Sequence, residues 1–475
     1  MNGTRPIIRR LVLLVGAWTI ILVAAVGQPQ VAPDSSAAPT APDSSAAPTA
    51  PDRTTVSPPV PSEETRPISP TRTMESEIDT EGQPLAPMTP QPERETAVRP
   101  EERAFEPETV GTEAAIAIDE LGRRRWRIIP IFSVGGEYND NIFGSQTDRV
   151  SDFIGSTTFG FIFELGDFRQ HAENYLGLRW TGQPVLYAQN SAQNAFNQFA
   201  AITLQYRFYK MVARWDGNFS MVKGANRDVN TIVSQKWFYN RLAFSYDYSE
   251  KTQLLLSLFQ STIATEGFQG NNQYEGTAGI TYQIFPKTTM GFQGVVGLID
   301  STDTPLVYYQ QLRLLISYAP TQKVTIDFNG GLQFLEFEGS DKKRADPVFS
   351  LGVKYQPFPA TSIALLAYRN VVGRSLVPDQ DFFATGFVLT VQQQFFQKFG
   401  AALSAGYEND QYFGTTPETP TERVDNYVYV RPRLTYAFVS WFSASIFYEF
   451  RRASSNNPGS SFYNNRAGLE FNTSF

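Results

Sequence analysis

Along residues 125–475 apolar and polar side chains alternate one by one, segment after segment, and almost no stretch carries an apolar stripe at helical spacing. In residues 323–334 the apolar set is Val324, Ile326, Phe328, Leu332 and Phe334, and the intervening set is Lys323, Thr325, Asp327, Asn329 and Gln333. Residues 443–451 set Ala444, Ile446, Tyr448 and Phe450 against Ser443, Ser445, Glu449 and Arg451, and Ile202, Leu204, Tyr206 and Phe208 oppose Thr203, Gln205 and Arg207. A period of two belongs to a β-strand whose faces meet different surroundings. The block therefore reads as all-β.

The connections between these segments are of two kinds that take turns along the chain. Tight turns are expected near Phe168, Tyr209, Glu250, Pro286, Pro320, Phe358, Gln397 and Val439, and longer polar loops at 140–150, 187–195, 223–232, 264–272, 299–305, 337–346, 372–380, 410–423 and 453–460. Eight turns and nine loops join 18 strands, with 16 as the alternative count. A soluble sandwich of this length would divide into several linked domains, and no Pro/Ser-rich break follows Arg125. Tight turns at one end and loops at the other mark a transmembrane barrel. A closed sheet also satisfies every backbone amide in lipid, which an open one does not. The expected fold is an antiparallel up-and-down transmembrane β-barrel over residues 121–475.

Composition organises what precedes it. Residues 1–27 hold Arg5, Arg9 and Arg10, no acid, and an apolar run from Leu11 that ends in Ala24, Ala25, Val26 and Gly27. This predicts a secretory signal peptide cleaved near Gly27, the alternative being a retained anchor. Residues 28–120 contain the tandem repeat of 32–40 and 41–49, only one aromatic residue (Phe105), and 18 acids against 6 Arg. Such a tract buries too little to offset ~1–2 kcal/mol of ordering per residue, so it is expected to be a disordered acidic linker in the periplasm. It serves there as a spacer or as a docking arm for export components. The whole chain carries −7, and these two segments account for +3 and −12, which leaves the barrel block at +2. The acidity is the linker's, and the charge gives no ground for a nucleic-acid partner. The absence of Cys excludes thiolate chemistry, disulfides and a lipid anchor on an N-terminal cysteine.

The last segment alternates to its final residue: Ala467, Leu469, Phe471, Thr473 and Phe475 against Arg466, Gly468, Glu470, Asn472 and Ser474. An aromatic terminus on such a strand resembles the assembly signal of bacterial outer-membrane barrels, which implies that Ala467, Leu469, Phe471 and Phe475 engage the barrel-assembly machinery. Near the start of the block stands 136–144, Gly-Glu-Tyr-Asn-Asp-Asn-Ile-Phe-Gly, followed by Ser151, Asp152, Phe153 and Ile154, with a partial echo at 406–414. Behind a signal and a linker, this pattern resembles the β-barrel porin-2-like outer-membrane family, some members of which are associated with exopolysaccharide production. The resemblance implies a porin-like channel for polar solutes in the bacterial outer membrane. It implies as alternatives a conduit or accessory protein for polysaccharide export, or a structural or adhesion barrel without transport. Outer-membrane lipid is the expected partner, and the sequence does not fix an oligomeric state.

If the apolar face meets lipid, the polar face lines a lumen. By parity the lining charges are Arg179, Arg207, Arg214, Asp216, Arg241, Arg313, Lys323, Asp327, Lys354, Arg431, Arg433, Glu449, Arg451 and Arg466, together with Glu137, Asp152, Glu164, Asp247, Glu275, Glu408 and Glu470, so that the two signs nearly balance. They brace the wall as cross-strand pairs or form a selectivity surface. Arg369 is left out, because Ile363 and Leu365 share its side. None of the nine outer loops is long enough to fold back as a deep constriction. No catalytic group is expected: the sole His171 falls by a short turn on the periplasmic side, far from any rim nucleophile. Glu137, Asp140, Asn141, Glu408 and Asp410 offer hard oxygen ligands without ligand spacing, so no metal and no cofactor is assigned.

Overall fold

A computed structural model describes residues 126–474 other than 167–173, 228, 269, 302–304, 340–342, 373–379, 397 and 415–422. The segments expected to be a signal peptide and a linker, the tight turn expected near Phe168, His171 and Phe475 lie outside the described residues. Eighteen strands run in chain order: β1 (Trp126–Asn139), β2 (Asp152–Gly166), β3 (Tyr175–Tyr187), β4 (Ala195–Arg207), β5 (Met211–Asn226), β6 (Thr231–Asp247), β7 (Thr252–Thr265), β8 (Asn271–Phe285), β9 (Thr288–Ser301), β10 (Val307–Thr321), β11 (Val324–Phe337), β12 (Lys343–Phe358), β13 (Thr361–Val372), β14 (Gln380–Phe395), β15 (Phe399–Gly414), β16 (Val424–Val439), β17 (Phe442–Ser455) and β18 (Phe462–Ser474). Each strand pairs antiparallel with its sequence neighbours, and β1 closes on β18 from Ile131–Ser474 to Asn139–Arg466. This is a closed, 18-stranded antiparallel up-and-down barrel, as the alternation and the connections predict, with the higher of the two strand counts.

Parity is continuous around the ring. Glu137 lies opposite Ile154, Ile162 opposite Arg179, Thr203 opposite Asp216, and Asp216 opposite Arg241, so one set of side chains points inward throughout. The opposite set is apolar and open on the outside: Val296 is 61% exposed and Leu312 63%, with Phe292 and Leu332 beside them and Ile446 farther round the same outer surface. A water-soluble fold covers such a belt, whereas lipid supplies the cover here. The tight ends are made by local bonds. Phe208 N–H donates to the Met211 carbonyl at 2.7 Å, Ser249 N–H to that of Thr252 at 3.2 Å, and Pro286 stands in the two-residue turn between β8 and β9. Among the described residues no helix is long and apolar enough to cross a membrane, so the crossing elements are strands.

Candidate functional site

The site to consider is the interior wall and its outer mouth, the end that carries the longer loops. Arg179, Arg207, Arg214, Asp216, Arg241, Arg313, Asp327, Lys354, Arg431, Arg433, Glu449, Arg451 and Arg466 all occupy inward register positions. Lys323 does not. It sits in the tight turn between β10 and β11, exposed at the rim, where its Nζ donates to the Pro357 carbonyl at 2.6 Å. The alternation that includes Lys323 runs one residue past the strand, and its side chain reaches the neighbouring turn rather than the lumen.

Around the seam between the first and last strands the inward charges form a network. Arg466 Nη2 meets both carboxylate oxygens of Glu137, at 2.9 and 2.6 Å, and its Nη1 donates to Glu449 at 3.2 Å. Arg451 Nε lies 3.6 Å from the same Glu449, and Arg433 pairs with Glu470 at 2.8 Å. The seam therefore joins β1, β17 and β18 through side chains as well as through the backbone. The 136–144 segment adds to it. Asp140 accepts from the Asn465 amide at 2.7 Å and from its side chain at 2.7 Å, Asn141 donates to the carbonyls of Tyr463 and Ser145, and Asn464 donates to Asn139 and to the Asn141 carbonyl. These residues lock the first loop onto the last strand. Among the described residues no group of three or more His, Cys, Asp or Glu is placed to share a metal ion.

Two inward tyrosines lie flat across a neighbouring strand. Tyr309 of β10 passes over Gly297 of β9, donates to Glu275 of β8 at 2.9 Å and accepts from Gln273 at the same distance. Tyr368 of β13 passes over Gly386 of β14 and donates to Glu408 of β15. Glycine is required at both crossings because a Cβ would collide with the ring or hydroxyl.

At the outer mouth the strands do what no loop was expected to do. The β11–β12 ladder runs up to Glu336–Lys343, but the β12–β13 ladder stops at Phe349–Arg369. Above that point β13, β14 and β15 leave the wall and lean inward as a panel. Their outward-parity side chains Val371, Phe383 and Phe413 pack against inward-parity Val295, Ile299, Val307, Tyr309, Leu335 and Phe337 of β9–β11. Phe337 and Phe413 lie 6.3 Å apart edge to face, and the Arg344 guanidinium stacks 4.8 and 4.7 Å from Phe383 and Phe413. Wall strands have one exposed face, yet Asp381, Phe382, Phe383 and Ala384 are 6%, 0%, 1% and 1% exposed in succession. A strand buried on both faces loses alternation. Phe382-Phe383 and Tyr412-Phe413 are the sequence trace of this, and they mark where the panel enters the lumen.

Parity also explains Arg369. It shares the outward side with Ile363 and Leu365, but at the height of the panel that side faces the inner wall, and the guanidinium lies 4.9 Å from Phe383 and bonds Thr385 at 2.6 Å. From the far side of the ring, Arg227, just past the end of β5, reaches the opposite face of the panel. Its guanidinium pairs with Glu408 and, at 2.9 Å, with Asp410, and stacks 4.7 Å from Tyr427. The three charged side chains are 7%, 4% and 2% exposed. Asn230 bonds the Gly459 carbonyl, and Gly459 N–H donates to Gln146 at 3.0 Å, so three outer loops touch. Arg227 and Arg344 were not among the lining residues read from the sequence, one because it stands beyond a strand and the other because its segment 337–346 read as loop.

No family model matches the chain, and no curated protein matches it in sequence. Among solved structures, Pseudomonas aeruginosa OccK2 (OpdF) has a TM-score of 0.42 at 11% identity, covering 73% of this chain and 98% of its own. Pseudomonas aeruginosa OpdQ has 0.40 at 8%, covering 73% and 98%, and Acinetobacter baumannii OccAB3 has 0.40 at 10%, covering 73% and 99%. Likeness at this level adds nothing to what the strand order and register already establish.

Proposed function

We propose that this chain is an outer-membrane channel that lets small polar solutes pass without covalent chemistry. The observation that carries the reading is the division of the ring: exposed apolar side chains such as Phe292, Val296, Leu312 and Leu332 on outward register positions, and charges such as Arg179, Asp216, Arg241, Arg313 and Arg466 on inward ones. An inward wall of charge has no use in lipid and every use around water. The preceding acidic segment belongs in this reading to the periplasmic side, the side of the tight turns. Among the described residues neither the wall nor the mouth offers anything specific to a polymer, so the reading keeps to small solutes.

The filled outer mouth favours a second reading, a barrel that is structural and never conducts. Purified full chain in a planar bilayer separates the two, with swelling of proteoliposomes in sized sugars as a second measure. Stepwise conductance supports the channel. Bilayers that stay sealed for the wild type and for the mouth variants described next reject it.

A further inference from the structure

We infer that the β5–β6 hairpin tip is a gate, held shut across the lumen by the Arg227–Glu408–Asp410 latch against the inward panel of β13–β15. The inference rests on the channel reading above.

Three observations carry it. First, the tip rises beyond its neighbours: the β4–β5 ladder ends at Gln198–Met221 and the β6–β7 ladder at Gln235–Thr265, while β5 and β6 pair with each other on to Asn226–Thr231. Above those points the tip has no further ladder partner and is held by single bonds, Lys223 N–H to Asn197 at 3.0 Å, Lys223 Nζ to the Ala192 carbonyl at 2.9 Å and Asn230 to the Gly459 carbonyl among them, so its base is the natural place to bend. Second, the panel it meets is fixed from behind. Phe383 and Phe413 are buried in the apolar cluster of β9–β11, and Tyr368 ties Glu408 to the wall. The panel is therefore the post and the hairpin the moving bar.

Third, the contact between bar and post is made of charge. A permanent plug is built more stably from apolar side chains, because burying an ion pair recovers little more than its desolvation costs. When this latch parts, Arg227, Glu408 and Asp410 regain water in a polar lumen, so opening is far less costly than unseating an apolar plug of the same size. The arrangement has two discrete states, paired and hydrated, as a gate requires. Tyr427 under the Arg227 guanidinium fixes where the latch closes.

The test uses full-length protein in planar bilayers, and the lack of native cysteine makes it clean. Wild type is expected to be mostly silent. Arg227→Ala and the double variant Glu408→Gln/Asp410→Asn are each expected to raise the open fraction by about tenfold or more, given what removing one side of a buried pair costs. Arg227→Cys/Asp410→Cys is expected to conduct, and to fall silent once a short bis-maleimide joins the two thiols. A single Val371→Cys, which reports on the panel, is expected to react with an impermeant thiol reagent at the same rate whether or not Arg227→Ala is present. Wild type conducting with the same open fraction as the latch variants overturns the gate and leaves the channel standing. Faster labelling of Val371→Cys in the Arg227→Ala background overturns the assignment of the panel as the fixed post. Silence of every variant, with each shown to be folded by its heat-dependent gel mobility, overturns channel and gate together.

Discussion

Replacing Arg466 by Ala removes the centre of the seam network and tests whether side-chain charge, and not only the backbone ladder, holds β18 to its neighbours. Arg466 is 7% exposed and Glu449 only 1%, so the loss strands a carboxylate away from water. Breaking a buried pair from one side costs ~3–5 kcal/mol. Two features place this site at the lower end. Arg451 remains 3.6 Å from Glu449 and offsets part of the charge, and the Glu137 side chain, 16% exposed, reaches solvent. We expect a loss of about 3 kcal/mol for Arg466→Ala. Glu449→Gln leaves Arg466 paired with Glu137 and is expected to cost only ~1–2 kcal/mol. The double variant should then cost less than the two singles together, by ~1 kcal/mol or more, because both act on one contact. Urea unfolding in lipid vesicles, followed by the fluorescence of the barrel tryptophans and extrapolated linearly, gives all three values. If Arg466→Ala lies within ~0.5 kcal/mol of wild type, the range of an ordinary surface change, the seam is held by the backbone alone and the reasoning fails.

Three further expectations follow from the same geometry. Val296→Arg and Leu312→Arg place a charge in the outward belt and should each destabilise by ~2–4 kcal/mol in vesicles, whereas Asp327→Arg, on the inward face, should leave the urea midpoint near that of wild type and shift the ion preference of the open channel. Asn464→Ala removes a side chain that donates to Asn139, to Asp140 and to the Asn141 carbonyl and accepts from Arg451; the expected cost is ~2–3 kcal/mol, with hydrogen exchange accelerated at 140–145 and unchanged in β8–β10. Gly386→Ala puts a methyl against the Tyr407 carbonyl and the Tyr368 hydroxyl, so it should cost ~1–3 kcal/mol and raise the open fraction, while Gly276→Ala, which has room, should do neither.

The architecture was legible because its determinants are local. Period-two alternation fixes which side chains share a face, and turn residues such as Pro286 fix where strands end, so strand number follows from neighbouring residues alone. The interior charges were legible for the same reason, with Lys323 misplaced by one residue at a turn. The outer mouth was not legible. The lean of β13–β15 is set by Phe337 with Phe413, Arg344 with Phe383, and Arg227 with Glu408, pairs brought together only once the ring has closed. The motif at 136–144 was visible as a motif, but its work is done by Tyr463, Asn464 and Asn465 at the other end of the chain. The doubled aromatics at 382–383 and 412–413 were the one local sign that a strand had lost its exposed face.

Strand length explains why the closure is built where it is. A tilted strand needs ~9–11 residues to cross the hydrocarbon, and the strands here run from 12 residues in β13 to 17 in β6. Within the crossing, an edge left open to lipid would strand amide groups, so the ring must be complete there. The β12–β13 ladder runs without interruption from Phe349–Arg369 to Tyr355–Ile363 and, after a register shift, closes at Phe358–Thr361. Above it the constraint lapses, because water and headgroups satisfy an amide edge that hydrocarbon cannot. Surplus strand is therefore free to part from the wall at the loop end, where the β12–β13 ladder stops at Phe349–Arg369. The inward panel and the overhanging β5–β6 tip are both made from this surplus, and that is how a barrel with short loops acquires a filled mouth without an inserted domain.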